Sequence, residues 1–114
     1  MLHKMKLRIE PFEKIKNGSK TIELRLNDEK RQLVQVGDFI EFSMLENLKE
    51  TITVRVTALH RFDSFNKLYA TLPKEKFGYR ANEVPEPNHM DVYYSREKQA
   101  QYGVLGIEIE IVSI

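Results

Sequence analysis

The sequence predicts a mainly β protein of the α+β class, a small and partly open barrel of about five to six strands with short covering helices. Five segments alternate apolar and polar side chains with a period of two, as in strands that bury one face. Short segments with helical spacing lie between them. A doubly wound α/β sheet is disfavoured, because its strands are buried on both faces and would lack this alternation.

The length of 114 residues predicts one domain, residues 1–114, with a single hydrophobic core. Its first strand and helix are indicated by a change in periodicity at Pro11. Residues 5–10 alternate apolar and charged side chains. Pro11 then opens a short amphipathic helix, because its missing N–H costs nothing in a first turn. Asn17 and Gly18 are the stop signal of that helix.

The second predicted strand, at about residues 21–26, carries polar side chains on one face. Side chains alternate along a strand, so Thr21, Glu23 and Arg25 should share the face opposite to the core. Lys20 stands at the mouth of the strand, where the preceding turn can bring its ammonium to the same side. Two cations and one anion would then share a cleft, although a solvated strand would show the same alternation.

The middle of the chain predicts two further strands. A polar turn or short helix at residues 28–32 precedes a strand at residues 39–44 and a hairpin loop at residues 46–50. The clearest strand is residues 51–58, which is rich in β-branched side chains and should bury every second residue up to Ala58.

Two helices and a last strand complete the prediction. Ser64 is a suitable N-cap for a helix over residues 65–72. An exposed loop at residues 80–88 leads to a helix at about residues 91–101 and a final strand at residues 104–112.

Three motifs occur in order along the chain. They are Gly18-x-Lys20-x-x-Glu23-x-Arg25, then Val36-Gly37-Asp38-x-Ile40-x-Phe42, and finally Tyr93-Tyr94-Ser95-x-Glu97 with Tyr102-Gly103-Val104-x-Gly106-Ile107-x-Ile109. With them the chain resembles ASCH domains, the PUA-like β-barrel modules named for activating-signal-cointegrator homology, over residues 7–111. The resemblance implies a fold related to RNA-binding PUA domains and a role with RNA, in a family that hosts several activities.

The resemblance makes Lys20, Glu23 and Arg25 the main candidates for a ligand site. Lysine can bind phosphate, orient a carbonyl group or act as a base, and arginine offers a fork for phosphate or a plane for stacking on a base. Glu23 would orient both cations, or would simply form an internal ion pair with Arg25. Thr21 shares this face and could add a hydroxyl contact.

The segment near the end of the chain adds Tyr94, Glu97 and Tyr102 as candidates. All three belong to the resembling segment, and we expect them to approach the same cleft. Tyrosine rings can stack on an unpaired base, as in many RNA-binding proteins. Core packing with an exposed hydroxyl group is the alternative for these rings.

Composition excludes several classes of site. The chain has no cysteine, and its three histidines lack metal-ligand spacing, so we expect no metal and no cofactor. It has no glycine-rich phosphate loop and no Gly-x-Ser-x-Gly motif.

No run approaches the ~20 apolar residues that span a bilayer, and the first residues do not resemble a signal peptide. We therefore expect a cytoplasmic protein without membrane contact.

The formal net charge of +1 argues against a strongly basic nucleic-acid clamp. The charge is nevertheless uneven. Residues 1–34 contain nine basic and five acidic side chains, whereas residues 86–114 contain two and five. If phosphate is bound, the first third of the chain should supply most of the attraction, although surface charge alone can also be this uneven.

The sequence is compatible with three functions. The first is a module that holds a short RNA segment, a nucleotide or a nucleoside in the charged cleft. The second is a small hydrolase in which Lys20 and Glu23 are catalytic, either a ribonuclease or an enzyme similar to the ASCH branch that deacetylates N4-acetylcytidine. Lys20 matches the lysine of that branch, but Glu23 stands where its catalytic threonine would be. The third is a scaffold for protein partners of unknown kind.

Overall fold

The structure, a computed structural model, describes residues 1–113. Its centre is one five-stranded sheet that curls into a half-barrel. The strands are β1 (Leu2–Leu7), β2 (Ile22–Leu26), β3 (Phe39–Met44), β4 (Asn47–Phe62) and β5 (Val104–Ser113). They are arranged in the order β1-β3-β4-β5-β2, with β1 parallel to β3 and the other neighbours antiparallel. The α+β, barrel-like fold predicted from the alternation is confirmed.

Short helices cover the sheet. They are α1 (Ile9–Lys16), α2 (Glu29–Gln32), α3 (Phe65–Thr71) and α4 (Arg96–Tyr102), with two 3₁₀ helices at Lys74–Lys76 and Pro87–Val92. Ser64 caps α3 as predicted, because its side chain accepts a hydrogen bond from the backbone N–H of Lys67. None of the helices within residues 1–113 combines the length and the apolar character needed to cross a bilayer.

The core has two parts, one on each side of the sheet. Inside the half-barrel, α1 buries Phe12 and Ile15 against the inward side chains of β1, β3, β4 and β5. On the outer side, Phe65 and Leu68 of α3 cover β2 and the start of β5. Burial of each such side chain contributes about 1.5–3 kcal/mol, so these contacts hold α1 and α3 against opposite faces.

Strand β4 differs from the prediction in length and in its buried face. It begins at Asn47, so the predicted hairpin loop at residues 46–50 is wrong, and the turn is confined to Leu45 and Glu46. Its pairing with β5 shifts between Val56 and Ala58. This bulge reverses the alternation, and therefore Leu59, rather than Ala58, packs on the core.

The last helix also begins later than predicted. Residues 87–92 form a 3₁₀ helix, and the extended backbone of Ser95 makes it the N-cap of α4, where its side chain accepts from the N–H of Lys98. The predicted helix start at Asp91 is therefore wrong. Strand β5 follows after Gly103, whose φ of +72° with a ψ of −173° is a backbone conformation that favours glycine.

Asp38 is expected to make the free energy of unfolding depend on pH in the acidic range. Its carboxylate accepts from His3 Nε2 at 2.8 Å and from the N–H of Gln35 at 3.0 Å, which lowers its pKa from 3.8 to about 2. A carboxyl group whose pKa is lower in the folded than in the unfolded protein stabilises the fold. This stabilisation is fully present above the pKa of the unfolded state and is lost as the pH falls through the pKa of the folded state. We expect urea unfolding to show a loss of roughly 1–2 kcal/mol between about pH 4 and pH 2 from this group, allowing for solvent screening. Asp38→Asn should remove that part of the decline, and an unchanged pH profile would contradict the assignment.

Candidate ligand-binding cleft

The half-barrel is open between its two edge strands, β1 and β2, and a cleft of about 450 Å³ lies at this seam. The cleft is lined by Lys6 and Arg8 on one side and by Lys20, Glu23 and Arg25 on the other. Arg25 bridges the seam, because its Nη2 donates a hydrogen bond to the carbonyl of Lys6 at 2.8 Å. A side chain of the predicted site thus links the two strands at the opening of the barrel.

Glu23 lies at the floor of the cleft, with only 4% of its surface exposed. Its Oε1 is 2.9 Å from Lys20 Nζ and also accepts from the N–H of Leu24 at 3.2 Å. Its Oε2 accepts from Arg25 Nε at 2.9 Å. Both oxygens of the carboxylate are therefore engaged, and Glu23 holds the two cations in a fixed geometry.

The charges at the floor stabilise one another. Burial alone would raise the pKa of Glu23, but the neighbouring Lys20 and Arg25 outweigh it and bring that pKa below its ordinary value. Burial alone would lower the pKa of Arg25, whereas Glu23 and the hydroxyl of Tyr94 raise it above the ordinary value. Among the described residues of the floor, the cations Lys20 and Arg25 share the single carboxylate of Glu23, so one positive charge is left without a balancing carboxylate.

Lys20 is positioned by a backbone contact from a distant part of the chain. Its N–H donates to the carbonyl of Lys14 at the end of α1, and an isolated β-bridge joins it to Phe77. Gly78 follows with a φ of +92°, and a Cβ there would lie 2.9 Å from Lys14 Cδ and 3.4 Å from Lys20 Cβ. Glycine is needed here for its backbone angle, which strains any residue that has a Cβ.

Aromatic rings form the upper wall of the cleft. Their centroids are 5.2 Å apart for Tyr69 and Phe77 and 6.3 Å apart for Tyr69 and Tyr79, both in edge-on geometry, and Tyr93 lies beside Tyr94 at 6.5 Å. Burial, followed by the hydrogen bond with Tyr79, raises the pKa of Tyr69 above its ordinary value. Such a wall presents ring edges and faces to a flat ligand.

The structure brings together four of the predicted site residues. Lys20, Glu23, Arg25 and Tyr94 all line the cleft. Thr21, which was expected on the same face, is half-buried and is not part of the lining.

Glu97 and Tyr102 lie outside the cleft, which corrects the expectation that they approach it. Glu97 is exposed on α4, and the Tyr102 hydroxyl donates to Glu29 Oε1 at 2.7 Å. Because α4 begins only at Arg96, the segment that reaches the cleft is the one before the helix, where Tyr93 and Tyr94 stand.

Sequence reasoning missed Tyr69, Phe77 and Tyr79. For Tyr69 a signal existed, since it follows the buried Leu68 and lies one turn after Phe65 on the same amphipathic helix. For Phe77 and Tyr79 there was none, because their place depends on the bridge to Lys20. Within residues 1–113, no group of three or more His, Asp or Glu side chains is placed to hold a metal ion.

A family model for the ASCH domain matches residues 5–113. The chain belongs to the ASCH family. The resemblance seen in the three sequence motifs is thereby confirmed, and the fold of this ASCH domain is of the PUA-like kind to which RNA-binding domains belong.

Solved structures support the same assignment. This ASCH domain is 33% identical to hypothetical protein PH0355, with 98% of this chain and 100% of that chain covered and a TM-score of 0.82. It is also 33% identical to protein PF0455 from Pyrococcus furiosus, with both chains covered fully and a TM-score of 0.76. A mutant of ZmASCH from Zymomonas mobilis shares the fold at 16% identity and a TM-score of 0.68, over 98% of this chain and 73% of that one. The comparison with curated proteins finds no match.

Proposed function

We propose that this ASCH domain binds a short single-stranded RNA segment, or a nucleotide from one, in the cleft at the barrel seam. The observation that carries the proposal is the buried group of Lys20, Glu23 and Arg25, which keeps an unbalanced positive charge beside a wall of aromatic rings. A buried, unbalanced charge is costly for a fold, so its presence in a cleft favours a ligand that supplies the missing negative charge.

The two cations have donors left for such a ligand. Lys20 uses its ammonium on Glu23, and Arg25 uses Nε on Glu23 and Nη2 on the carbonyl of Lys6. The remaining N–H groups can donate to phosphate oxygens or to the carbonyl groups of a base. The role of Glu23 is then to hold the donors in place.

The aromatic wall and the rim suit the other parts of a nucleotide. Rings such as Tyr94 and Tyr69 offer surfaces on which an unstacked base can pack. At the rim, Lys6, Arg8 and Lys14 add positive charge, so the described lining of the cleft has five cationic side chains and two carboxylates. Its volume is within the range of roughly 300–1,000 Å³ that is typical of ligand pockets.

The same geometry weighs against the alternative, a hydrolase with Lys20 and Glu23 as catalytic residues. An ammonium that is paired with a carboxylate has no lone pair to accept a proton, and both oxygens of Glu23 already accept hydrogen bonds. Among the described residues the cleft lining includes no serine or threonine hydroxyl that could serve as a nucleophile. Binding without turnover is therefore the function that the site supports best.

Binding and turnover can be separated in one experiment. The protein is mixed with a pool of random-sequence RNA tetranucleotides and, separately, with N4-acetylcytidine. Binding is followed by calorimetry, and products are followed by mass spectrometry. We expect retention of RNA without cleavage or deacetylation, at an affinity that weakens with added salt.

Lys20→Met is the test variant, since it keeps most of the side-chain length and leaves Glu23 paired with Arg25. We expect it to weaken RNA binding about tenfold to a hundredfold, the usual worth of a hydrogen bond to a charged group. Lys98→Met is the matched control, because Lys98 is exposed on α4 and does not line the cleft. If the two variants bind alike, or if the protein binds no RNA, the proposal fails. Turnover that is lost in Lys20→Met would establish the hydrolase instead.

A further inference from the structure

A second concavity lies directly beside the cleft. This outer groove, of about 580 Å³, is lined by Asn17 and Ser19 after α1 and by Arg80 and Glu83 in the loop beyond Gly78. Two side chains, Lys14 and Tyr79, line both the cleft and the outer groove. A linear ligand that extends out of the cleft past these two side chains would therefore enter the outer groove.

Among the described residues that line the outer groove, two side chains are cationic, Lys14 and Arg80, and one is a carboxylate, Glu83. Within residues 1–113, neither Lys14 nor Arg80 forms an ion pair. The Oε1 of Glu83 accepts from the backbone N–H of Arg80 at 2.6 Å, which ties this carboxylate to the backbone and not to either cation. The described lining therefore carries a net charge of +1, and its two side-chain cations are free to receive an anionic group.

Its uncharged side chains are also suited to a sugar-phosphate unit. Asn17 Oδ1 accepts from the N–H of Ser19 at 2.9 Å, so its amide NH₂ group remains as a donor. Ser19 Oγ donates to the carbonyl of Lys14 at 3.2 Å and keeps lone pairs for a ribose hydroxyl. The stem of Lys14 lies against Gly78 between the two concavities, with Cδ 2.9 Å from where a Cβ of residue 78 would stand.

We propose that the outer groove holds the next phosphate and ribose of the RNA strand whose base occupies the cleft. The ligand class of this ASCH domain is then an RNA of at least two nucleotides, and neither a free nucleoside nor a mononucleotide fills the site. This inference rests on the proposed function, namely that the cleft binds RNA. Of the two cations in the described lining, Arg80 is the one that lines the outer groove alone, since Lys14 lines both spaces.

Three probes test the inference: the four nucleoside 5′-monophosphates, a pool of all dinucleotides with the natural linkage, and the same pool with an uncharged methylphosphonate linkage. We expect the natural dinucleotides to bind about tenfold more tightly than the monophosphates, and the methylphosphonate pool to lose most of that gain. Arg80→Ala should remove the same gain, leave the binding of monophosphates unchanged and reduce the slope of log affinity against log salt by about 0.7.

Arg61→Ala is the matched control, because Arg61 is an exposed arginine on β4 that lines neither concavity. If Arg80→Ala and Arg61→Ala bind the dinucleotides alike, or if monophosphates bind as tightly as dinucleotides, the outer groove has no role and the cleft proposal stands. If no probe binds the wild-type protein, the proposed function and this inference both fail.

Discussion

Replacing Glu23 with glutamine is expected to destabilise the protein by about 3–5 kcal/mol, the usual effect of removing one partner from a buried ion pair. Glutamine has nearly the same shape, but it carries no charge to balance Lys20 and Arg25, whose side chains are 12% and 13% exposed. One amide oxygen also cannot replace two carboxylate oxygens that accept from both cations. The measurement is the free energy of unfolding in urea at neutral pH.

Glu110→Gln is the matched control for this effect. Glu110 pairs with Arg55 at the surface, and each side chain is about half exposed, so the loss should be below about 1 kcal/mol. A double variant, Lys20→Met with Glu23→Gln, should recover part of the stability, because it removes one of the two cations left without a partner. Equal losses in the free energy of unfolding for Glu23→Gln and Glu110→Gln would show that the ion pairs of Glu23 with Lys20 and Arg25 do not stabilise the cleft floor.

The parts of the fold that the sequence predicts well are those governed by local burial. Strand β3 has the predicted bounds, and its inward residues Ile40, Phe42 and Met44 are those of the alternation, because one face of this strand is buried along its whole length. Alternation also places Glu23 and Arg25 on one side of β2, where the structure finds them paired. Here the period of two is sufficient, because the contact between Glu23 and Arg25 is between residues of the same strand.

The parts that the sequence could not predict depend on contacts between distant segments. Ala58 was expected to be buried, but the bulge in β4 is set by its pairing with β5, and no glycine marks it. The first four residues of β5 are all buried, because α3 covers the outer face of the sheet there. Likewise, Phe77 is placed at the cleft by its bridge to Lys20 and by packing on residues of β2 and α3, all distant in the sequence. Such long-range pairing leaves no periodic signal in a single segment.

Arg25→Lys is expected to open the seam of the barrel while keeping its charge. Arginine reaches Glu23 Oε2 through Nε and the carbonyl of Lys6 through Nη2 at the same time, because its donors are spread over a rigid plane. A lysine has one compact ammonium and cannot make both contacts. We expect a loss of about 1–3 kcal/mol from the hydrogen bond that is left unmade.

Two measurements distinguish this effect from a simple loss of stability. Amide hydrogen exchange should become faster in β1 and β2, the two edge strands joined by Arg25, and should change little in β3, which lies inside the sheet. RNA affinity should fall about tenfold or more, because the guanidinium that faces the cleft is gone. Arg55→Lys, at an exposed ion pair on β4, is the control and should affect neither quantity. Unchanged exchange in β1 and β2 of Arg25→Lys would show that the sheet edges, and not Arg25, keep the seam in place.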